Sequence, residues 1–161
     1  MSTSIADTFV VKERVDNDDL GYVAKSWKAS LYDYGLHPDG TEWKTRSKSA
    51  FFAAVNEPIN KTLQRAATIV LLDPGDKRFI VGWVCFDDLA VHYVFTRNAV
   101  SGCGIGDQLL RMAGVDMRAP CVVTHKSTHR GAVRLQARYG VQYQPGLIYG
   151  VQDDQAQRGQ G

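Results

Sequence analysis

Three β-rich runs follow one another over residues 67–96, and this constrains the fold of the chain more than any other feature. Runs 67–72 and 78–86 are joined by Asp73-Pro74-Gly75-Asp76, whose turn residues favour a hairpin. A third run, 89–96, follows almost at once. A parallel return needs a crossover of a dozen or more residues, so the three runs must form an antiparallel meander. Helical periodicity flanks the meander on both sides. Upstream, a first strand over 8–12 leads into a helix capped by Asp16 or Asn17, with Leu20, Val23, Trp27, Leu31 and Tyr34 on one face. A loop over 35–40 ends it, and a second helical segment spans about 46–63, with Phe51, Phe52 and Val55 apolar and Pro58 marking a break or kink. Downstream, 106–117 reads as a helix with Leu109, Leu110, Ala113 and Met117 apolar, 121–124 as a short buried strand, and 128–139 as a helix ended by Gly140. Residues 142–151 close the pattern with strand-like runs around Pro145-Gly146.

At 161 residues and 44% hydrophobic, the chain suffices for one domain with a complete core, placed here at 1–151, with the polar stretch 152–161 expected to be a disordered tail. A net charge of +2 with interspersed signs gives no electrostatic case for nucleic acid. Three cysteines, Cys85, Cys103 and Cys121, lack paired spacing, so neither a disulfide framework nor a zinc site is expected, and the cytoplasm is the expected compartment. No signal-peptide pattern opens the chain and no run of about 18 apolar residues occurs, so no membrane span is expected.

The segment Ser101-Gly102-Cys103-Gly104-Ile105-Gly106-Asp107 carries the chemistry. A strand-like run feeds alternate glycines that open directly into an amphipathic helix. Such glycines let successive N–H groups converge, and the helix N-terminus adds roughly half a positive charge, so an anionic ligand is expected there. A dinucleotide reading fails, because the third glycine of GxGxxG would fall at Asp107 and the next strand ends at His125 instead of an acid.

The order of elements, with the ungapped stretch 93–106 and the late helix His129-Arg130-Gly131-Ala132-Val133-Arg134-Leu135 running on to Gly140, resembles the GCN5-related N-acetyltransferase (GNAT) superfamily over nearly all of 8–151. The resemblance implies an α/β (α+β) fold with a mixed, mostly antiparallel central sheet, a splay between its fourth and fifth strands, and about four flanking helices. It implies acetyl-CoA (coenzyme A) as a substrate lying in that splay, bound by the backbone of Val94, Phe95 and Thr96 and by Ser101, Gly102, Cys103, Gly104, Ile105 and Gly106, with His129 at the family's late-helix Asn. Arg97, Lys126 and Arg130 are near enough in sequence to reach the adenosine phosphates. The candidate bases are Asp88, at the position of a catalytic Glu, and His125, at the end of the fifth strand. An alternative reading makes Asp88 a solvated turn residue.

His125 and His129 are four residues apart but have no evident third partner, so no metal is expected. Trp27 reads as core, whereas Trp43 fits core or acceptor pocket equally. The chain departs from the family at Ser101, where a long donor is usual, and at Gln136, where a Tyr often reprotonates the thiolate. The expected activity is direct acetyl transfer from acetyl-CoA to an amine, with the acceptor open and a homodimer compatible with the fold. The alternative is a degenerate GNAT-like protein, similar to those encoded by tailed phages, that binds and modulates a host protein.

Overall fold

The computed structural model describes residues 9–97, 104–115 and 121–149. The chain runs β1 (Val10–Lys12), α1 (Asn17–Tyr34), β2 (Gly35–Leu36), α2 (Lys48–Arg65), β3 (Ala67–Asp73), β4 (Asp76–Phe86), β5 (Val91–Thr96), α3 (Ile105–Met112), β6 (Val122–Val123), β7 (Lys126–Ser127), α4 (Arg130–Tyr139) and β8 (Gln142–Tyr143), with 3-10 turns at Trp43–Thr45 and Pro145–Tyr149.

Local chemistry fixes the helix starts. The Asp16 carboxylate accepts the Asp19 N–H at 2.8 Å, and the Asp19 carboxylate accepts the Asp16 N–H at 3.1 Å, a reciprocal capping box. Ser47 caps α2 through the Ala50 N–H. Contrary to the expected break, α2 runs through Pro58 as one helix. Proline lacks the N–H that would serve the carbonyl of Ala54 four residues earlier. The helix is held instead by its buried face, Phe51, Val55, Ile59 and Leu63.

The sheet order is β1-β3-β4-β5-β6-β8. The pairs from β1 to β5 are antiparallel, and β5–β6 and β6–β8 are parallel. Strand alternation sends Val70, Leu72, Trp83, Cys85 and Tyr93 to α1 and α2, and Ile69, Leu71, Val84 and Val91 to α3 and α4, so apolar layers cover both faces. The first layer is built around Trp27, which stacks on Tyr93 at 5.5 Å and lies 5.6 Å from Trp83.

Two predicted segments end differently. The helix expected over 106–117 stops at Met112, because Gly114 takes φ 87 and donates back to Arg111, and Met117 lies outside the described residues. Of the strands expected over 142–151, only Gln142–Tyr143 pairs, and the chain then coils into the 3-10 turn. A short ladder between β2 and β7 had no sequence signal; it ties the end of α1 to the approach to α4.

Gly82 sets how closely α3 approaches the sheet. A Cβ there would lie 2.8 Å from the Phe95 carbonyl oxygen, 3.1 Å from Ile105 and 3.3 Å from Leu109. Gly82→Val is therefore expected to destabilise the fold by about 1–3 kcal/mol through overpacking, read as a lower urea midpoint.

Candidate active site

A β-bulge organises the site. Cys85 pairs with Tyr93 and Phe86 with Val91, so His92 is an extra residue in β5. Before it, Val91 turns its main chain toward β6 and accepts the Thr124 N–H at 3.3 Å. After it, the parity is reversed. The Arg97 N–H bonds the Val81 carbonyl, so Phe95 directs its main-chain groups to Trp83, while His92, Val94 and Thr96 turn theirs to the β6 side. Among the described residues β6 pairs with β5 only at Val91↔Val123, so Val94 and Thr96 have no strand partner there on that side.

The N-terminus of α3 borders the end of β5, with the Thr96 hydroxyl 3.9 Å from where a Cβ on Gly106 would stand. Gly104 precedes the helix at φ 77 and contributes no side-chain cap; the first-turn N–H groups of a helix have no partner within it and suit an anion. Gly106 has a packing reason as well, since a Cβ there would meet Leu135 of α4 at 2.8 Å.

Thr124 and His125, just after β6, line a cleft of about 340 Å³. α2 supplies Ala54, Val55, Pro58 and Ile59, Trp43 and His37 come from the segment after β2, and Tyr143 and His125 close the wall. No carboxylate lines it among the described residues.

Neither a family model nor a curated protein sequence matches the chain. Solved structures do. A candidate acetyl transferase from Pyrococcus furiosus superposes with a TM-score of 0.54 at 15% identity, over 81% of this chain and 91% of that one. Its agreement with the splayed, mixed sheet decides the architecture. The chain has the GNAT fold. Two further similar structures are apo YjaB from Escherichia coli (TM-score 0.44, 20% identity, 65% of this chain) and a region, described as a GCN5-related glucosamine N-acetyltransferase, of a fungal multi-domain GH3 β-N-acetylglucosaminidase (TM-score 0.41, 19% identity, 84% of this chain). The chain spans 64% of the length of YjaB and 13% of the fungal chain.

On this GNAT fold, His125 stands just beyond β6, next to the last pairing of β5 with β6. Its Nδ1 lies 3.0 Å from the His92 carbonyl and 3.1 Å from the Thr124 hydroxyl. A carbonyl only accepts, so Nδ1 carries the proton and Nε2 is a bare lone pair. The ring packs against Trp27 at 5.6 Å and Tyr93 at 5.9 Å while keeping some exposure along the cleft. Burial pushes its pKa down to about 4.

His92 is fully buried. Its Nε2 is 2.8 Å from Asp87 Oδ2 and its Nδ1 3.2 Å from Thr124 Oγ1. Burial raises the Asp87 pKa, but bonds from His92 and from Arg65, at 2.7 Å, outweigh it and hold the carboxyl at about 2. The sequence analysis missed His92 as a site residue. Its one available signal was an imidazole inside an otherwise apolar strand.

The other candidates are dispersed. Asp88 is exposed on the turn before β5, and the ordered carboxylate of that turn is Asp87, which accepts the N–H groups of Leu89 and Ala90. His129 caps α4, its Nδ1 accepting the Gly131 N–H at 3.2 Å. Arg97 is held between Tyr22 and Phe79 and donates to the Ile80 carbonyl, Lys126 lies over the Tyr143 ring, and Arg130 is exposed at the start of α4. Ser101, Gly102 and Cys103 lie outside the described residues, as does the tail 152–161. Trp27 is fully buried core, and Trp43 is both buried and cleft-lining. Among the described residues no cluster of three or more metal-ligating side chains forms, and no helix is long and apolar enough to cross a membrane.

The buried His125 gives a pH signature. Its unfolded pKa is about 6.5 and its folded value about 4, so between these the unfolded chain binds more protons and stability falls as pH drops. At 1.36 kcal/mol per unit the loss is about 3 kcal/mol. Urea unfolding at pH 7.5 and 4.5 is expected to show a smaller difference for His125→Asn than for the wild type.

Proposed function

We propose that the protein transfers an acetyl group from acetyl-CoA directly to an amine. The observation that carries this reading is the bulge at His92, which turns the Val94 main chain away from β4, while the α3 N-terminus borders Thr96 and His125 bonds the His92 carbonyl. The diphosphate would sit at 101–106 against the N–H groups of α3, and the pantetheine would bond Val94 as a partial strand. The thioester carbonyl would then reach the cleft, where main-chain N–H groups of β5 polarise it. The acceptor would enter against Trp43, Val55 and Ile59, so its body presents apolar surface. His125 Nε2 would take the proton from the attacking nitrogen. The new C–N bond forms as the C–S bond breaks, and CoA leaves as a thiolate that water protonates.

Two measurements test this. Acetyl-CoA should raise the melting temperature by mass action, and a panel of amines and peptides should release free thiol. The binding-only reading rests on Gln136, an amide that cannot act as an acid. It prevails if CoA binds, no acceptor releases thiol, and a pull-down returns one stoichiometric protein.

A further inference from the structure

The hydrogen bonds behind His125 form a continuous chain through Thr124 and His92 to Asp87. Asp87 is ionised and can only accept, so His92 donates through Nε2–H. Burial keeps His92 neutral, which makes its Nδ1 an acceptor. The Thr124 hydroxyl has two acceptors in reach, that nitrogen at 3.2 Å and the His92 carbonyl at 3.3 Å; when it donates to the nitrogen, its oxygen receives the His125 Nδ1–H at 3.1 Å, shared with the same carbonyl. Both ends suit a transfer. His125 meets the cleft, and Asp87 is 19% exposed beside Arg65.

We propose that Thr124, His92 and Asp87 carry the proton that His125 takes from the acceptor amine out to solvent. This rests on the acetyl-transfer reading. As His125 Nε2 gains the amine proton, its Nδ1–H moves to Thr124 Oγ1, the hydroxyl proton moves to His92 Nδ1, and the His92 Nε2–H moves to Asp87 Oδ2, which releases it to water. No bond other than X–H changes; one proton moves from cleft to surface and both rings end as the opposite tautomers, which must revert before the next turnover. The enclosed site explains why such a route is needed. A base packed between Trp27 and Tyr93 has little water to stabilise an imidazolium, so passing the charge onward avoids holding it. The charged groups around the chain are Asp87 and Arg65, from the β4–β5 turn and α2; His92 is the other titratable ring.

The test uses Thr124→Val, which keeps the shape and removes the hydroxyl, beside Thr124→Ser, which restores it. With an acceptor that the wild type acetylates, Thr124→Val is expected to lower kcat roughly 10–100-fold, within the general range for assisted proton transfer. KM for acetyl-CoA should stay within about twofold of the wild-type value, since Thr124 is not among the groups assigned to the cofactor. Added imidazole should recover the rate, and Thr124→Ser should resemble the wild type. Wild-type kcat in Thr124→Val, or a loss that imidazole does not repair, overturns the relay. Long-range 1H–15N NMR of the wild type supplies a readout without turnover: His92 protonated at Nε2 and His125 at Nδ1 are required, and either opposite tautomer overturns the chain. If the wild type turns over no amine, the acetyl-transfer reading fails and the relay with it. Turnover with unchanged Thr124→Val fails the relay alone.

Discussion

Gly104→Glu is expected to abolish acetyl-CoA binding while the protein remains folded. Saturation to 100 times Kd stabilises a native state by about 2.7 kcal/mol, which for a domain of this size is a rise in Tm of roughly 5–10 °C. The variant should show none. Gly104 stands at φ 77 immediately before α3, where a glutamate places bulk and a negative charge against the N–H groups proposed to hold the diphosphate. A side chain in the left-handed region also costs about 1–2 kcal/mol. Gly104→Asn separates the two effects, because asparagine tolerates that conformation and adds no charge; it should bind more weakly than wild type but measurably. A folded Gly104→Glu protein that kept the full thermal shift would remove α3 from the cofactor site.

His125→Asn is expected to reduce turnover by about 10²–10⁴-fold, the usual worth of a positioned acid–base group. Asparagine retains a donor near Nδ1 for the His92 carbonyl but has nothing in place of Nε2. Acetyl-CoA affinity should therefore change less than twofold, whereas the chemical step fails. Wild-type turnover would exclude His125 as the base. Asp88→Asn provides the comparison, and its exposed position gives an expected effect of less than about threefold, in line with a surface substitution.

The meander, both long helices and the glycine entrance to α3 were legible because each depends on local pattern: short joints, 3.6-residue periodicity, turn residues. Pro58 misled because its penalty is local, whereas the burial of Phe51, Val55, Ile59 and Leu63 that holds α2 together is tertiary. The β2–β7 ladder has two residues per strand and no period to detect. His125 was visible as an imidazole at a strand end. Its partners were not, since Asp87 and His92 lie more than thirty residues away and meet Thr124 only through the bulge. Gly106 shows a subtler limit: the sequence suggested room for a ligand, and the structure adds the close approach of Leu135.

Counting residues in β5 has a structural meaning of its own. Deleting His92 would leave Val91 opposite Phe86 and Tyr93 opposite Cys85, whereas pairing His92 in register with Cys85 would make every later position exchange sides. Phe95 in place of Val94 would then present its amide to the departing strand, and the Tyr93 ring would leave Trp27 for the layer under α3. The aperture and the aromatic wall are thus set by one and the same register, so neither can be altered by a slip of this strand without moving the other.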